Sequence, residues 1–186
     1  MLDEQERKTL LQVASASVRH GLDYRQPLPV EPEKYSKRLA EPGACFVTLE
    51  IDGGLRGCIG SLEAWRPLIQ DCADNAFAAA FRDPRFPPMT EQELGLLDYH
   101  VSVLSVPAAL SFQSEDDLLS QLRPGTDGLV LVEGDQRATF LPSVWESLPE
   151  PRAFLRHLRQ KAGLEPEYWS DTIKAFRYTV ESIRRT

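Results

Sequence analysis

The chain has 186 residues, 42% of them hydrophobic and 26% charged. That is the balance of an ordinary globular protein, long enough to bury ~70% of its unfolded surface without covalent staples. Its net charge is −7, from 21 basic and 28 acidic side chains, and an acidic average repels phosphate backbones, which disfavours nucleic acid as a partner. No apolar run approaches the ~18 residues of a membrane span, and the charged stretch from Met1 to Lys8 lacks the apolar centre of a secretion signal. The expectation is a cytoplasmic protein with no membrane contact, whose three cysteines are free thiols.

Asp3 followed by Glu6 predicts a capping box opening a first helix. Leu11, Ala14 and Val18 give that helix an apolar face, and Gly21 is its expected stop. Pro27, Pro29 and Pro32 make residues 24–33 an extended crossing. Cys45 to Ile51 reads as a strand, Asp52-Gly53-Gly54 as a turn and Leu55 to Ser61 as the returning strand. Pro67 starts a helix whose apolar positions run from Leu68 through Cys72 and Ala76 to Ala80. It must stop before Asp83-Pro84-Arg85-Phe86-Pro87-Pro88.

Thr90 and Glu93 form a second capping box, and Tyr99 to Val106 is a strand closed by Pro107. Ser114 with Asp117 opens a short helix ending at Leu122. A hairpin around Gly134-Asp135 joins Leu129–Glu133 to Arg137–Leu141. Pro142 to Leu148 and Pro151 to Ala162 read as helices, the second stopped by Gly163. Ala175 to Ile183 reads as one terminal strand. Hairpins and helices mix without a βαβ rhythm, which is the pattern of an α+β fold.

Several stretches together resemble the AMMECR-type domain family, the protein A component of the AmmeMemoRadiSam grouping. They are Leu55-Arg56-Gly57-Cys58-Ile59-Gly60-Ser61-Leu62-Glu63, Ala79 to Phe86, Val101 to Ser105, Pro124 to Gly128, Thr139 to Glu146, and Lys161 to Leu164. They occur in the family's order and span nearly the whole chain. The family usually has threonine where Ser61 stands, and both residues offer a hydroxyl. The resemblance implies two similar βα units around a small barrel-like, mainly antiparallel sheet with flanking helices, in a single AMMECR-type domain, 1–186, with two lobes. It also implies a Memo-like protein and a radical S-adenosylmethionine enzyme as partners. It carries no settled reaction. The chain lacks the clustered cysteines of an iron–sulfur site, and His20, His100 and His157 show no metal-ligand spacing, so no cofactor or metal is expected.

In the strand from Leu55 to Ser61, alternation sets Arg56, Cys58 and Gly60 on one face, with Arg56 and Cys58 roughly 7 Å apart. A guanidinium there would favour the reactive thiolate. Gly57 and Gly60 strip bulk from both faces, so a ligand or another backbone can approach. Cys58 is therefore either a reactive thiol in a glycine-floored groove or a small buried hydrophobe whose glycine neighbours relieve crowding. Cys72 and Cys45 lie on apolar faces and read as core.

Arg82, Asp83 and Arg85 offer either an anion clamp or a structural turn. Asp127, in a Gly-flanked turn, serves the backbone or acts as a general base toward Cys58. Two functions follow. One is an accessory or ligand-binding protein that handles an unknown small molecule through Gly57, Gly60, Ser61, Arg82, Asp83 and Arg85. The other is a thiol-dependent enzyme using Cys58, Arg56 and Asp127.

Overall fold

The first helix forms where the capping box predicts, but it runs past its expected stop. In the computed structural model, which describes residues 1–184, α1 (Glu4–Tyr24) opens with Asp3 accepting from the Glu6 amide and Glu6 accepting from the Asp3 amide. Gly21 lies inside the helix. A methyl carbon there would sit 2.4 Å from the Phe81 ring and 2.7 Å from that of Phe77. This glycine admits two aromatic rings; the chain leaves the helix at Arg25, which takes the left-handed conformation. Buried Ser17 donates to the Ala73 carbonyl at 2.6 Å and accepts from the Leu28 amide, which pins the proline-rich crossing to the core.

After a short 3-10 turn at Pro32–Lys34 and α2 (Lys37–Ala40), the predicted hairpin forms as β1 (Cys45–Ile51) and β2 (Gly54–Gly60). Then come α3 (Leu68–Phe81), a 3-10 turn at Glu91–Leu96 capped by Thr90 and Glu93, and β3 (Leu97–Leu104). The second half contains β4 (Ala108–Ala109), α4 (Glu115–Gln121), β5 (Gly128–Glu133), β6 (Gln136–Phe140), a 3-10 turn at Pro142–Glu146, α5 (Pro151–Lys161), β7 (Lys174–Tyr178) and β8 (Val180–Arg184). The expected terminal strand is thus two strands, parted at Thr179. That residue's amide and carbonyl are held by Ser105 rather than by a ladder.

The fold is α+β and mainly antiparallel, as expected. The strands form two four-stranded sheets, β2-β1-β3-β8 and β4-β7-β5-β6, and among the described residues neither closes into a barrel. The same path is traced twice: a hairpin, a helix, and a third strand that returns beside the hairpin's first strand. It gives β2-β1-β3 once and β6-β5-β7 once. The strand following each unit joins the other sheet: β4, after β3, pairs with β7, and β8, after β7, lies beside β3.

Two compact units result, one of Met1–Leu104 with Glu181 onward, the other of Ser105–Val180. In the first, Val47, Leu49 and Val101 on the inner sheet face meet Leu10, Ala14 and Val18 of α1 and Ile69, Cys72 and Ala76 of α3, all buried. At ~25 cal/mol per Å2 this apolar burial is the main force holding the unit together. In the second, Leu129, Leu131 and Ala175 pack on Phe154, Leu155 and Leu158 of α5, and the Trp145 ring stacks on Phe154 at 3.8 Å. No helix among the described residues is long and apolar enough to cross a membrane.

Candidate functional site

In the first unit, β2 is an edge strand, so alternate amides and carbonyls along it have no strand to meet. At Cys58 the turn after α3 supplies the missing partners. Pro84 ends the helix, and the chain turns back through Asp83 and Arg85. The Cys58 amide donates to Asp83 Oδ2 at 2.9 Å, and Arg85 Nη2 donates to the Cys58 carbonyl at 3.3 Å. Asp83 is buried, and it also accepts from the Arg85 amide and from Arg85 Nε and Nη2, the last two at 2.9 and 2.7 Å. These bonds, Arg85 first, hold the Asp83 carboxyl far below the usual carboxylate range. The turn therefore acts as a short surrogate strand that fixes the Cys58 backbone.

Because the Cys58 amide and carbonyl both point away from β1, its pairing with Thr48 is of the non-hydrogen-bonded kind, in which side chains stand closest. Thr48 Oγ1 donates to Cys58 Sγ at 3.2 Å. Cys58 is half-buried, whereas Cys45 and Cys72 are wholly inside the core. The Cys45 thiol is pushed well up by neighbouring Cys72 and by burial.

Arg56 sits differently from the simple alternation. The register shifts between Leu49, which faces Gly57, and Glu50, which faces Leu55. Arg56 falls in this bulge, where strict alternation ends. Its Nε and Nη2 engage Glu93 at 2.6 and 3.3 Å, and Nη2 also donates to the Pro87 carbonyl at 2.9 Å. Arg56 pushes the Glu93 carboxyl down to about 2. Its Nη1 is buried without a hydrogen-bond partner among the described residues. Arg56 is thus engaged by Glu93, and the guanidinium on the Cys58 backbone is that of Arg85. Both cations lie near the face of Phe86, at 5.8 and 5.6 Å.

The room left by the two glycines is taken by the protein itself. A methyl carbon on Gly57 would stand 2.1 Å from the Ala79 carbonyl oxygen of α3, and one on Gly60 would stand 2.2 Å from the Phe46 ring. Ser61 donates to Asp71 at 2.6 Å, inside a buried network where Asp71 also accepts from Arg66, from Asn75 and from the Cys45 amide. Arg82 caps α3 and lies 5.0 Å over the Phe77 ring. Asp127 belongs to the second unit, where its buried carboxylate accepts from the Arg123 amide and guanidinium. Its carbonyl accepts from Trp145 Nε1 at 2.7 Å.

Sequence reasoning gave Thr48 and Glu50 no role, weighed His100 only as a metal ligand and Glu93 only as a helix cap. Alternation alone sets Thr48 and Glu50 on the polar face of their strand, but only the pairing register brings them beside Cys58 and His100. The second unit has its own clefts. One, of about 460 Å3, runs along Ala109–Gln113 and Ile173–Phe176 beside Trp169; another, of about 360 Å3, lies between Pro124-Gly125 and Pro142 to Glu146.

The AMMECR1 family model matches residues 11–183. The chain belongs to the AMMECR1 family. A relative from Thermotoga maritima is 38% identical over 179 residues, covering 95% of each chain. One from Methanothermobacter thermautotrophicus is 37% identical over 175 residues, covering 91% of this chain and 88% of its own. The crystal structure of an uncharacterized protein, PH0010 from Pyrococcus horikoshii, superposes with a TM-score of 0.82 at 28% identity, covering 97% of this chain and 92% of that one. These AMMECR1 relatives carry no reaction in their names, so any chemistry must be argued from the site.

Proposed function

We propose that this AMMECR1 protein is an accessory protein that binds a small molecule on the outer face of its first sheet, with the Cys58 thiol as the engaging group. The observation that carries the reading is the asymmetry of the hairpin. Its inner face is sealed by Val47, Leu49 and the Gly57–Ala79 contact. On its outer face Cys58 stands half-buried beside Thr48, with its backbone clamped by Asp83 and Arg85. The motif resemblance supports partnership with a Memo-like protein and a radical S-adenosylmethionine enzyme.

The test is site-resolved alkylation with iodoacetamide. Cys58 is expected to react at least tenfold faster than Cys45 and Cys72 in the native protein, because reactive cysteines are accessible and buried ones inert. Equal protection of all three thiols would refute the reading. Co-purification with the two partners tests the accessory role, and failure to associate at micromolar concentration refutes a stable complex.

A second reading, a thiol-dependent enzyme using Cys58 as nucleophile, is favoured by the hydrogen bond from Thr48 to Sγ, which fixes the position of the sulfur. The two readings part on turnover. A binding protein holds one equivalent of ligand per chain, whereas an enzyme releases product and is silenced by Cys58→Ala.

A further inference from the structure

The face that bears Cys58 carries a second titratable pair. Thr48 is directly opposite Cys58 on one side and directly opposite His100 on the other. Directly opposed residues share a face, with Cβ atoms ~5 Å apart. Cys58, Thr48 and His100 therefore form one line across β2, β1 and β3. His100 Nε2 lies 3.4 Å from Glu50 Oε2, and Glu50 is the next residue after Thr48 on that face of β1. The His100 side chain is 16% exposed and that of Glu50 29%, so the pair is shielded but not sealed.

The inner face of the same three strands holds Val47 and Leu49 on β1, Val101 on β3 and Gly57 and Ile59 on β2 at the matching positions, with Tyr99 of β3 as its titratable group, its phenol pushed up by burial. A nucleophile, a hydroxyl, an imidazole and a carboxylate thus lie in sequence on one face of one sheet. This is the order of parts that activates a nucleophile through a base oriented by a carboxylate. The other charged residues on this face are Asp98 on β3 and, by alternation against buried Ile183, Arg184 on β8. From the turn beside β2 come Asp83 and Arg85, paired with each other, and Glu93, paired with Arg56.

We propose that His100, positioned by Glu50, is the proton acceptor for the Cys58 thiol, and that the Thr48 hydroxyl relays the proton between them. The inference rests on the thiol reading above and adds the residues that would make the thiol reactive toward a small carbon electrophile. In the step, the S–H proton passes to Thr48 Oγ1 while the Thr48 hydroxyl proton passes to the imidazole nitrogen not facing Glu50. One S–H and one O–H bond break, one O–H and one N–H bond form, and no electrons leave the system. The products are the Cys58 thiolate and the His100 imidazolium, the latter beside the Glu50 carboxylate. The hydrogen bond that Thr48 gives to Sγ is the one required after the transfer. Thr48 and Glu50 are positioning residues that act through their neighbours.

The experiment measures the iodoacetamide rate at Cys58, peptide by peptide, between pH 6 and pH 10 in the wild type and in Thr48→Val, Thr48→Ser, His100→Gln and Glu50→Gln. A general base contributes roughly a hundredfold or more to a proton transfer. His100→Gln and Thr48→Val are expected to slow labelling about tenfold or more at pH 7 and to converge with the wild type at pH 10, where hydroxide itself takes the thiol proton. Thr48→Ser restores the rate, and Glu50→Gln gives an intermediate loss. Buried Cys45 and Cys72 report the fold: a variant that labels them has unfolded, and the comparison then rests on His100→Asn and the two Thr48 variants. If Cys58 labels rapidly but His100→Gln and Thr48→Val match the wild type at pH 7, the relay is refuted and the thiol reading stands. If wild-type Cys58 labels no faster than the two core thiols, the thiol reading itself falls.

Discussion

Gly57→Ala separates two reasons for a glycine beside Cys58. If the glycine gave a ligand room, an added methyl would block binding and leave stability alone. The structure assigns the room to α3 instead. The methyl carbon would sit 2.1 Å from the Ala79 carbonyl oxygen, about 1 Å inside the 3.0 Å that real contacts respect. The clashing atom is backbone within a 14-residue helix, so relief requires α3 and β2 to part along their shared face. Overpacking costs ~1–3 kcal/mol when side chains can adjust; with backbone on both sides the expected loss is at the upper end, about 3 kcal/mol. At an m-value of ~2 kcal/mol/M the urea midpoint of the first unit falls by about 1.5 M. Alkylation of Cys45 and Cys72, both wholly buried in its core, follows that unit. Two controls calibrate the result. Gly95→Ala, with nothing within 4 Å, stays within about 0.5 kcal/mol of wild type. Gly60→Ala, whose added carbon would stand 2.2 Å from the root of the Phe46 ring and 2.7 Å from the Phe46 backbone, is expected to lose a similar amount. A Gly57→Ala protein as stable as wild type would refute the packing argument.

Acid should unfold the first unit through the carboxylates beside Cys58. Glu93 is lowered from an ordinary 4.5 to about 2 by Arg56 first, so its contribution is complete above pH 4.5 and is lost as the pH falls toward 2. Asp83 acts with the same sign at lower pH. Denaturation midpoints measured between pH 6 and pH 2 should fall across that window, and Glu93→Gln should flatten the upper part of the slope; an unchanged slope would show that the Arg56–Glu93 pair contributes nothing. Asp71→Ala should cost about 3–5 kcal/mol, because it strips a buried carboxylate from Arg66, Asn75 and the Cys45 amide at once. Urea titration checks this, and a loss under 1 kcal/mol would mean that water replaces the network.

Periodicity is a local property, and what depends on it was legible. The capping boxes at Asp3 and Thr90 form, and the buried stripe of α3 is the one its apolar spacing predicts. What failed depends on residues distant in sequence. Gly21 reads as a helix stop, yet it is kept inside α1 by the rings of Phe77 and Phe81. Alternation sets Arg56 beside Cys58, yet one extra residue in the hairpin hands it to Glu93. The strand Ala175 to Ile183 looks continuous because both halves have strand-forming side chains. Nothing in those side chains says that the chain changes sheets at Thr179. The row through His100 was invisible for the same reason: composition gives the face of a strand, and only register gives the neighbour.

The repeated path offers an internal comparison that bears on where chemistry can sit. In the first sheet the middle strand β1 is buried on its inner face and half-buried on its outer one. The outer row reads Cys58, Thr48, His100. In the second sheet the middle strand β5 is buried on both faces from Gly128 through Leu131. Its row away from the α5 core reads Thr139, Val130, Phe176. Thr139 there meets the Tyr178 hydroxyl, whose own proton is held up by burial, and no nucleophile or imidazole stands opposite it. The same sequence of hairpin, helix and strand thus yields one sheet whose second face is closed, its Thr139 and Tyr178 hydroxyls bonded to each other, and one whose second face is half-buried and bears a thiol, a hydroxyl and an imidazole in one row. If the fold alone required such a row in this register, both sheets would have one. That only the first does is the argument for treating Cys58, Thr48 and His100 as a site rather than as a consequence of the architecture.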